Sequence, residues 1–298
     1  MSAKLLLCKI CRTPVEEVGI KRGKSGGREF VLHHCPKCHF SFVSNPRNDY
    51  YNIYSEAYYR GYGIDPFVDY VFELDEPEST VRVYEWAGIL KVVNSLYPQP
   101  IISSTRWLDY GCGNGGLVRF VRSVTGCDIR GYDEGWIVDK AIEAGIPIIR
   151  QKELLTSSSQ NKFDIVTAIE VFEHIEDPIK VLNEIRSMMN PGGLLFFTTG
   201  NAAVYRKNLL KWGYFLPDIH ISLFEPGTML TALEMTGFRP SQLEKIPIGW
   251  IDIIRFKILK SLGVHRQNIL EKMLPWRWIS GFVNSLMHAT AHPVGWAK

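Results

Sequence analysis

The stretch Leu108-Asp109-Tyr110-Gly111-Cys112-Gly113-Asn114-Gly115-Gly116 decides the fold that this sequence predicts. It continues a short strand pattern that begins at Trp107, and it opens a helical pattern that extends to Thr125. Glycines at such a turn permit a tight bend and let the backbone approach a bound ligand closely. The stretch therefore predicts a glycine loop that binds a cofactor at the end of the first strand of a sheet.

Strands and helices alternate along the chain after this loop. Strand patterns cover residues 128–132, 146–149, 163–169 and 194–198, and helical patterns cover 116–125, 137–143 and 178–188. Two further strands are expected at residues 241–248 and 292–297. Because such alternation places helices on both faces of a mostly parallel sheet, the sequence predicts an α/β, Rossmann-like, doubly wound fold.

One acidic residue distinguishes between the cofactors that such a loop can bind. The spacing Gly111-x-Gly113-x-x-Gly116 also satisfies the dinucleotide fingerprint, and Asp133 after the second strand can hold ribose hydroxyls in either case. A carboxylate at Asp109, however, gains little beside a pyrophosphate. It suits a cofactor that carries an ammonium group, and the sequence favours such a cofactor.

Two later motifs complete a resemblance to a known family. Residues 170–178 (Glu-Val-Phe-Glu-His-Ile-Glu-Asp-Pro) follow the fourth strand, and residues 190–193 (Asn-Pro-Gly-Gly) precede the fifth. With the glycine loop, they make residues 104–245 resemble the class I S-adenosylmethionine-dependent methyltransferases. The resemblance implies a seven-stranded sheet whose last strand is antiparallel and would be supplied by residues 293–297.

The resemblance also implies which residues would contact S-adenosylmethionine. The glycine loop would surround the methionine part of the cofactor, and the acid after the second strand would bind the ribose hydroxyls. Residues 150–154 would lie beside the adenine. A further acid would lie beside the cofactor at the end of the fourth strand. The cofactor residues implied in this way are Asp109, Gly111, Cys112, Gly113, Asp133, Lys152, Glu153 and Glu170.

Four of the six cysteines form two Cys-x2-Cys pairs near the amino terminus, Cys8 with Cys11 and Cys35 with Cys38. Two intervening residues let a tight turn aim both sulfurs at one ion, and two such turns complete a closed tetrahedral zinc site. In a reducing compartment this spacing indicates metal rather than disulfides. The sequence therefore predicts a structural zinc ribbon with a strand hairpin between the pairs. A redox pair or a nucleic-acid knuckle is the functional alternative.

The chain divides into three predicted regions. The zinc ribbon covers residues 1–45, a tyrosine-rich connector and lid with helical pieces covers 46–100, and the methyltransferase domain covers 101–298. A basic insertion at 250–290 is expected to form a substrate lid or a dimer surface. The ribbon with the tyrosines after it is also similar to the segment that precedes the methyltransferase domain in bacterial enzymes of glycan and secondary-metabolite pathways.

Two histidines are candidates for the base that removes the acceptor proton. His174 follows the fourth strand, where the acceptor should sit in this fold, and Glu173 beside it could orient or assist it. His220 lies in the loop after the fifth strand, which can close over the acceptor. Each histidine could instead have a purely structural role, as a helix cap or a packing residue.

Composition narrows the choice of acceptor and location. The net charge is only +3 over 298 residues, which does not favour a nucleic-acid partner, and an Asn/Asp-Pro-Pro-Tyr/Phe motif typical of DNA-base methylation is absent. A secretory signal and a membrane-spanning apolar run are not expected, so a cytoplasmic location is predicted. The predicted acceptor is a small polar molecule such as a sugar or nucleotide-sugar. Alternatives are an RNA- or protein-modifying enzyme that docks through the ribbon, or a non-catalytic cofactor-binding subunit. A homodimer and a lipid-linked acceptor stay open.

Overall fold

The amino-terminal part of the chain folds as a three-stranded antiparallel ribbon. The computed structural model describes residues 5–64, 69–150, 162–240, 274–276 and 278–279, and the backbone of 295–297. The predicted hairpin between the cysteine pairs is confirmed. Its strands are β1 (Glu16–Arg22) and β2 (Glu29–His34), and β3 (Ser41–Val43) pairs antiparallel with β2.

Short helices connect this ribbon to the main sheet. They are α1 (Tyr50–Ile53), a π-helical turn (Tyr58–Tyr62), α2 (Tyr70–Asp75), a 3-10 turn (Pro77–Ser79) and α3 (Arg82–Leu96). Helix α3 begins at Arg82 because Thr80 ends the preceding turn. Its hydroxyl donates to the carbonyl of Pro77 and accepts from the backbone N–H of Arg82.

The remaining elements form the predicted doubly wound fold. In chain order they are β4 (Arg106–Tyr110), α4 (Gly116–Thr125), β5 (Asp128–Tyr132), α5 (Trp136–Glu143), β6 (Phe163–Ile169), a 3-10 turn (Phe172–His174), α6 (Pro178–Ser187), β7 (Met189–Thr198), a 3-10 segment (Ala202–Lys211), β8 (Ser222–Leu223), α7 (Pro226–Met235) and β9 (Gly295–Ala297). The main sheet has the order β5-β4-β6-β7-β9. Its pairs are parallel except β7 with β9, so the antiparallel last strand is confirmed.

Three strand predictions differ from the structure or lie outside it. The strand expected at 146–149 is reduced to one bridge, between Ile148 and Gly131. β7 begins at Met189, five residues before the predicted start, because Met189 already pairs with Phe163 of β6, and residues 190–193 form an irregularity before the regular pairing resumes at Leu194 with Ile165. The strand at 241–248 and most of the insertion at 250–290 lie outside the described residues.

Each face of the main sheet carries its own apolar core. Leu108, Val166 and Leu195 face α6 and α7, whereas Trp107 and Ile165 face α3 and α4. Such a two-faced arrangement is typical of a doubly wound sheet. Among the described residues, no helix combines the length and apolar character needed to cross a bilayer.

The ribbon shares a sheet and a core with the region after β7. β8 pairs antiparallel with β3, so Phe42 lies opposite Ser222 and Ser41 opposite Leu223. The ring of Phe40 packs against Phe224 with centroids 5.1 Å apart. The predicted boundary at residue 45 therefore divides two units that are joined by strand pairing and by apolar packing.

Candidate active site

The glycine loop bends sharply between β4 and α4. Gly111, Gly113 and Gly115 have φ angles of +77°, +56° and +71°, which side chains rarely adopt. A Cβ at Gly111 would come within 2.4 Å of Cγ2 of Val171. The backbone N–H groups of Gly111 and Cys112 both donate to the carbonyl of Tyr132, at 2.7 and 3.0 Å. The loop is thus fastened to the end of β5, where it forms a cradle that only small residues fit.

Two carboxyls stand at the carboxyl ends of β4 and β5. Asp109 is buried, one oxygen accepts from the Thr167 hydroxyl at 2.7 Å, and burial raises the pKa of its carboxyl to about 7. Asp133 accepts from the backbone N–H groups of Gly113 at 2.7 Å and Glu134 at 2.6 Å, and desolvation raises its pKa to about 6. A buried carboxyl of raised pKa gains most from a nearby cation. The donor set therefore fits a ligand with an ammonium group and a pair of hydroxyls.

The tyrosine-rich connector lies over this loop. The backbone carbonyl of Tyr70 accepts from the side-chain amide of Asn114 at 2.9 Å, and the carbonyl of Leu74 accepts from Arg119 at 2.8 Å. A Cβ at Gly113 would lie 3.2 Å from the ring of Tyr70. α2 therefore packs against the glycine loop and the start of α4.

A second pair of carboxyls follows β6. Glu170, which has a φ of +53°, and buried Glu173 both contact the single hydroxyl of Tyr214. Thr199 donates to the other oxygen of Glu173 at 2.8 Å. Because one hydroxyl hydrogen cannot serve both carboxylates, the arrangement needs a second proton. Desolvation and the charge of Glu173 raise the pKa of Glu170 to about 8, although Glu170 is open to solvent and screening by water reduces this shift. A proton on Glu170 satisfies both contacts, because Tyr214 then donates to Glu173 and accepts from Glu170.

The two candidate histidines lie side by side next to this pair. The rings of His174 and His220 have centroids 4.9 Å apart, and His220 stacks on Tyr214 at 4.5 Å. Nδ1 of His174 lies 3.1 Å from the carbonyl oxygen of Ile219 and 3.1 Å from the hydroxyl of Tyr54. Nδ1 of His220 contacts the carbonyl oxygen of Tyr214. Desolvation lowers the pKa of His174 to about 4 and that of His220 to about 3, so both rings are neutral at pH 7.

The contacts with carbonyl oxygens favour the same tautomer in both rings, and the Tyr54 hydroxyl then accepts from Nδ1 of His174. A carbonyl oxygen can only accept, so a bond to it requires the hydrogen to sit on Nδ1. Nε2 of each neutral ring then carries the lone pair. Ligand atoms of Glu173, His174 and His220 also lie within 4.8 Å of one another, close enough to share one cation.

The four ribbon cysteines form a separate cluster. The Sγ atoms of Cys8 and Cys38 are 3.5 Å apart, and those of Cys11 and Cys35 are 3.4 Å apart. A tetrahedron of sulfurs with Zn–S bonds of 2.3 Å has edges of about 3.8 Å. The four sulfurs thus fit one tetrahedral ion without rearrangement of the chain.

The two cysteine turns have the same backbone form. Arg12 and His39, each directly after a pair, have φ angles of +62° and +61°. Their N–H groups donate to the carbonyls of Cys8 at 3.1 Å and Cys35 at 3.0 Å. Each turn therefore presents both of its sulfurs to the same point.

The structure brings most of the predicted site residues together. The candidates of the glycine loop meet Asp133 at the ends of β4 and β5, and Glu170, Glu173, His174 and His220 meet after β6. Lys152 and Glu153 lie outside the described residues. Sequence reasoning missed Thr167, Thr199 and the carbonyl of Ile219. Threonines at strand ends offered a weak signal, but a backbone carbonyl offers none.

A parallel sheet with a glycine loop and paired carboxyls at its carboxyl edge defines an enzyme that binds a nucleoside-containing cofactor. A methyltransferase-domain family model matches residues 56–243, more than half of the chain. The chain belongs to this family and is an S-adenosylmethionine-dependent methyltransferase. The family confirms the predicted Rossmann-like methyltransferase fold and the predicted cofactor S-adenosylmethionine.

Curated relatives support the same class. The ubiquinone biosynthesis O-methyltransferase of Photorhabdus laumondii is 30% identical over 176 residues, which cover 55% of this chain and 68% of that protein. Its counterpart in Colwellia psychrerythraea is 29% identical over 181 residues, covering 58% of this chain and 66% of that protein. A solved S-adenosylmethionine-dependent methyltransferase from Archaeoglobus fulgidus has a TM-score of 0.46 and 17% identity, with 76% of this chain and 96% of that chain covered.

Proposed function

We propose that this enzyme transfers a methyl group from S-adenosylmethionine to a hydroxyl oxygen of a small polar acceptor. The observation that carries the proposal is the contact between Nδ1 of His174 and the carbonyl of Ile219, which leaves Nε2 free to accept a proton. The names of the curated relatives, ubiquinone biosynthesis O-methyltransferases, favour oxygen as the methylated atom. Family membership makes the chain an enzyme, so a non-catalytic subunit is no longer an alternative.

The cofactor-binding residues are proposed from the donor set around the glycine loop. S-adenosylmethionine supplies a methyl group on a positively charged sulfur. The Asp109 carboxylate would neutralise the ammonium group, and Asp133 would accept from the ribose hydroxyls. The left-handed glycines, Gly111 and Gly113, let the backbone approach the ligand. Cys112 is buried and packs under the loop.

The histidines would handle the acceptor proton. As the acceptor oxygen forms its bond to the methyl carbon, the bond from that carbon to sulfur breaks and the acceptor proton moves to Nε2 of His174 or His220. The carbonyl of Ile219 holds the His174 ring in the orientation that this transfer needs. The Glu170 and Glu173 pair lies next to the rings, and its negative charge would offset the positive charge that the imidazole gains.

The weak basicity of both histidines favours an acidic hydroxyl as the acceptor. A base with a pKa of about 4 removes a proton more easily from a phenol, whose pKa is about 10, than from an aliphatic hydroxyl. A sugar or nucleotide-sugar, which the similarity of the ribbon region suggests, is therefore the second candidate. Both classes are small and polar.

The test is methyl transfer from methyl-labelled S-adenosylmethionine to one probe of each class. We expect 3,4-dihydroxybenzoate to gain one methyl group, with the label on oxygen by NMR, and UDP-glucose to react more slowly. Label on UDP-glucose alone would assign a sugar acceptor and would reject the phenol. Label on carbon or nitrogen of any acceptor would contradict oxygen transfer.

We propose that the four ribbon cysteines hold one structural zinc ion. Their sulfurs are spaced for a tetrahedral site, and four thiolates leave no coordination position for chemistry. The ribbon also packs on the segment that carries His220, through β3 and β8. This packing favours a supporting role for the ribbon over docking of RNA or protein.

A further inference from the structure

The turn between β1 and β2 hydrogen-bonds to Asp218, a buried acid in the segment that follows β7. The side chain of Asp218 is fully buried, and the backbone N–H of Lys24 donates to its Oδ2 at 2.7 Å. Nη1 of Arg47 lies 3.5 Å from its Oδ1. Charge-assisted hydrogen bonds to a buried carboxylate are stronger than neutral ones. Asp218 is thus a buried polar contact between the ribbon and segment 201–224.

The same segment is fastened to the ribbon along its length. The ammonium of Lys21 donates to the carbonyl of Trp212 at 2.9 Å and lies 4.8 Å above the ring of Phe215. A shared apolar cluster joins the two units, with Phe30, Leu32 and Val43 from the ribbon and Ala202, Leu209, Trp212, Phe215, Ile221 and Leu223 from the segment. The two ends of segment 201–224 meet where the N–H of Ala202 donates to the carbonyl of Phe224 at 2.8 Å. The ribbon therefore forms the support on which this segment folds.

The residues directly after Asp218 reach into the active site. The carbonyl of Ile219 accepts from Nδ1 of His174, and the side chain of Ile219 packs among the connector tyrosines. His220, the next residue, stacks on Tyr214 and contacts the ring of His174. One tripeptide thus joins the ribbon hairpin to both candidate bases. Asp218 is one residue from Ile219 and two residues from His220, so a displacement of its backbone would also move these two residues.

We propose that the ribbon hairpin sets the orientation and tautomer of His174 by holding Asp218, so that Asp218 and Gly23 are positioning residues for methyl transfer. This inference rests on the proposed function, because it assigns importance to the lone pair on Nε2. The ribbon then has a role beyond stability: it tunes the acceptor side of the active site. The cofactor side, built on β4 and β5, has no part in this contact.

Gly23 offers a way to move Asp218 without altering segment 201–224. A Cβ at Gly23 would come within 2.5 Å of Oδ2 and 2.6 Å of Oδ1 of Asp218, closer than real contacts allow. Gly23→Ala must therefore displace the buried carboxylate. The matched control is Gly213→Ala, which lies in the segment itself but whose added Cβ would meet no atom within 4 Å.

The primary measurement is the 15N NMR spectrum of the imidazole nitrogens in histidine-labelled protein, with His174 assigned by comparison with His174→Gln. Wild type and Gly213→Ala should both show the hydrogen on Nδ1 of His174. In Gly23→Ala the Nε2–H tautomer of His174 should increase about fivefold, as expected when one ordinary hydrogen bond is lost. Affinity for S-adenosylhomocysteine should stay within about twofold of wild type in both variants.

Asp218 variants provide the second arm of the test. Asp218→Asn can still accept from the N–H of Lys24, so it should keep the wild-type tautomer, whereas Asp218→Ala should behave as Gly23→Ala does. If Gly23→Ala is folded but has a wild-type His174 spectrum, the positioning role is wrong and the contact only stabilises the fold. A weakened affinity for S-adenosylhomocysteine in Gly23→Ala would also overturn it. The tautomer is read without an acceptor, so a failed hydroxyl assay refutes the proposed function separately.

Discussion

The affinity for the cofactor product should depend on pH through Asp109. Burial raises the pKa of this carboxyl to about 7, so the apo-enzyme holds a proton there that an ammonium ligand must displace. Such a group is about 9% ionised at pH 6 and about 50% ionised at pH 7. If only the ionised form binds tightly, affinity for S-adenosylhomocysteine should increase about fivefold over that interval, which equals about 1 kcal/mol.

The pH dependence can be assigned to Asp109 by a matched variant. Asp109→Asn has the same shape but cannot ionise, so it should bind more weakly and lose most of the dependence. Asp133, with a pKa of about 6, contributes at most about twofold between pH 6 and pH 7. That smaller slope is what the variant should retain.

Isothermal titration calorimetry measures both effects. Titrations in two buffers of different ionisation enthalpy should show that wild type releases about half a proton on binding at pH 7, in keeping with the half-protonated carboxyl. The reasoning is refuted if wild-type affinity is constant from pH 6 to pH 7, or if Asp109→Asn reproduces the wild-type slope.

Three other predictions concern the metal, the base and the carboxyl pair. Elemental analysis of protein purified without a metal-affinity resin should give about one zinc per chain. The double variant Cys35→Ser with Cys38→Ser should lose the metal and have a lower melting temperature. A metal-free wild type would contradict the zinc site. Replacing whichever of His174 and His220 is the base by Ala should slow single-turnover methyl transfer by about 10²–10⁴-fold with unchanged S-adenosylhomocysteine affinity; if both single variants and the double variant react within a few-fold of wild type, neither is the base. Tyr214→Phe removes the hydroxyl between the two acids and should cost about 2 kcal/mol of unfolding free energy in urea denaturation; an unchanged value would show that the hydroxyl adds no net stability.

Local patterns were sufficient to predict the sheet and its glycine loop. Strand β6 matches its predicted bounds because a short, mostly apolar segment, interrupted only by Asp164 and Thr167, marks a strand buried on both faces. Gly111 and Gly113 have positive φ angles, which residues with a Cβ rarely adopt, so glycines at these positions indicate the tight turn. These features depend on neighbours in sequence, so the sequence carries them directly.

Features that depend on distant partners were not predictable in this way. β8 has only two residues, and nothing in its sequence indicates that it completes the sheet of the ribbon. Asp218 resembles an ordinary polar loop residue until the backbone of Lys24 is brought to it. The pairing of Glu170 with Glu173 likewise depends on the hydroxyl of Tyr214, more than forty residues away.

The pairing of β3 with β8 has a consequence for the order in which the chain folds during synthesis. The four cysteines all lie within the first 38 residues, so the proposed zinc site could assemble soon after this part leaves the ribosome. Phe42 of β3 can pair with Ser222 of β8 only after 180 further residues have been synthesised, and until then β3 has β2 as its one neighbouring strand. At about 5–20 residues per second that delay is about 10–40 s. Throughout that time β3 is an open sheet edge, able to pair with another nascent chain. We expect that early binding of the proposed zinc ion holds the ribbon in its final form until β8 is synthesised. This should reduce incorrect strand pairing at the β3 edge.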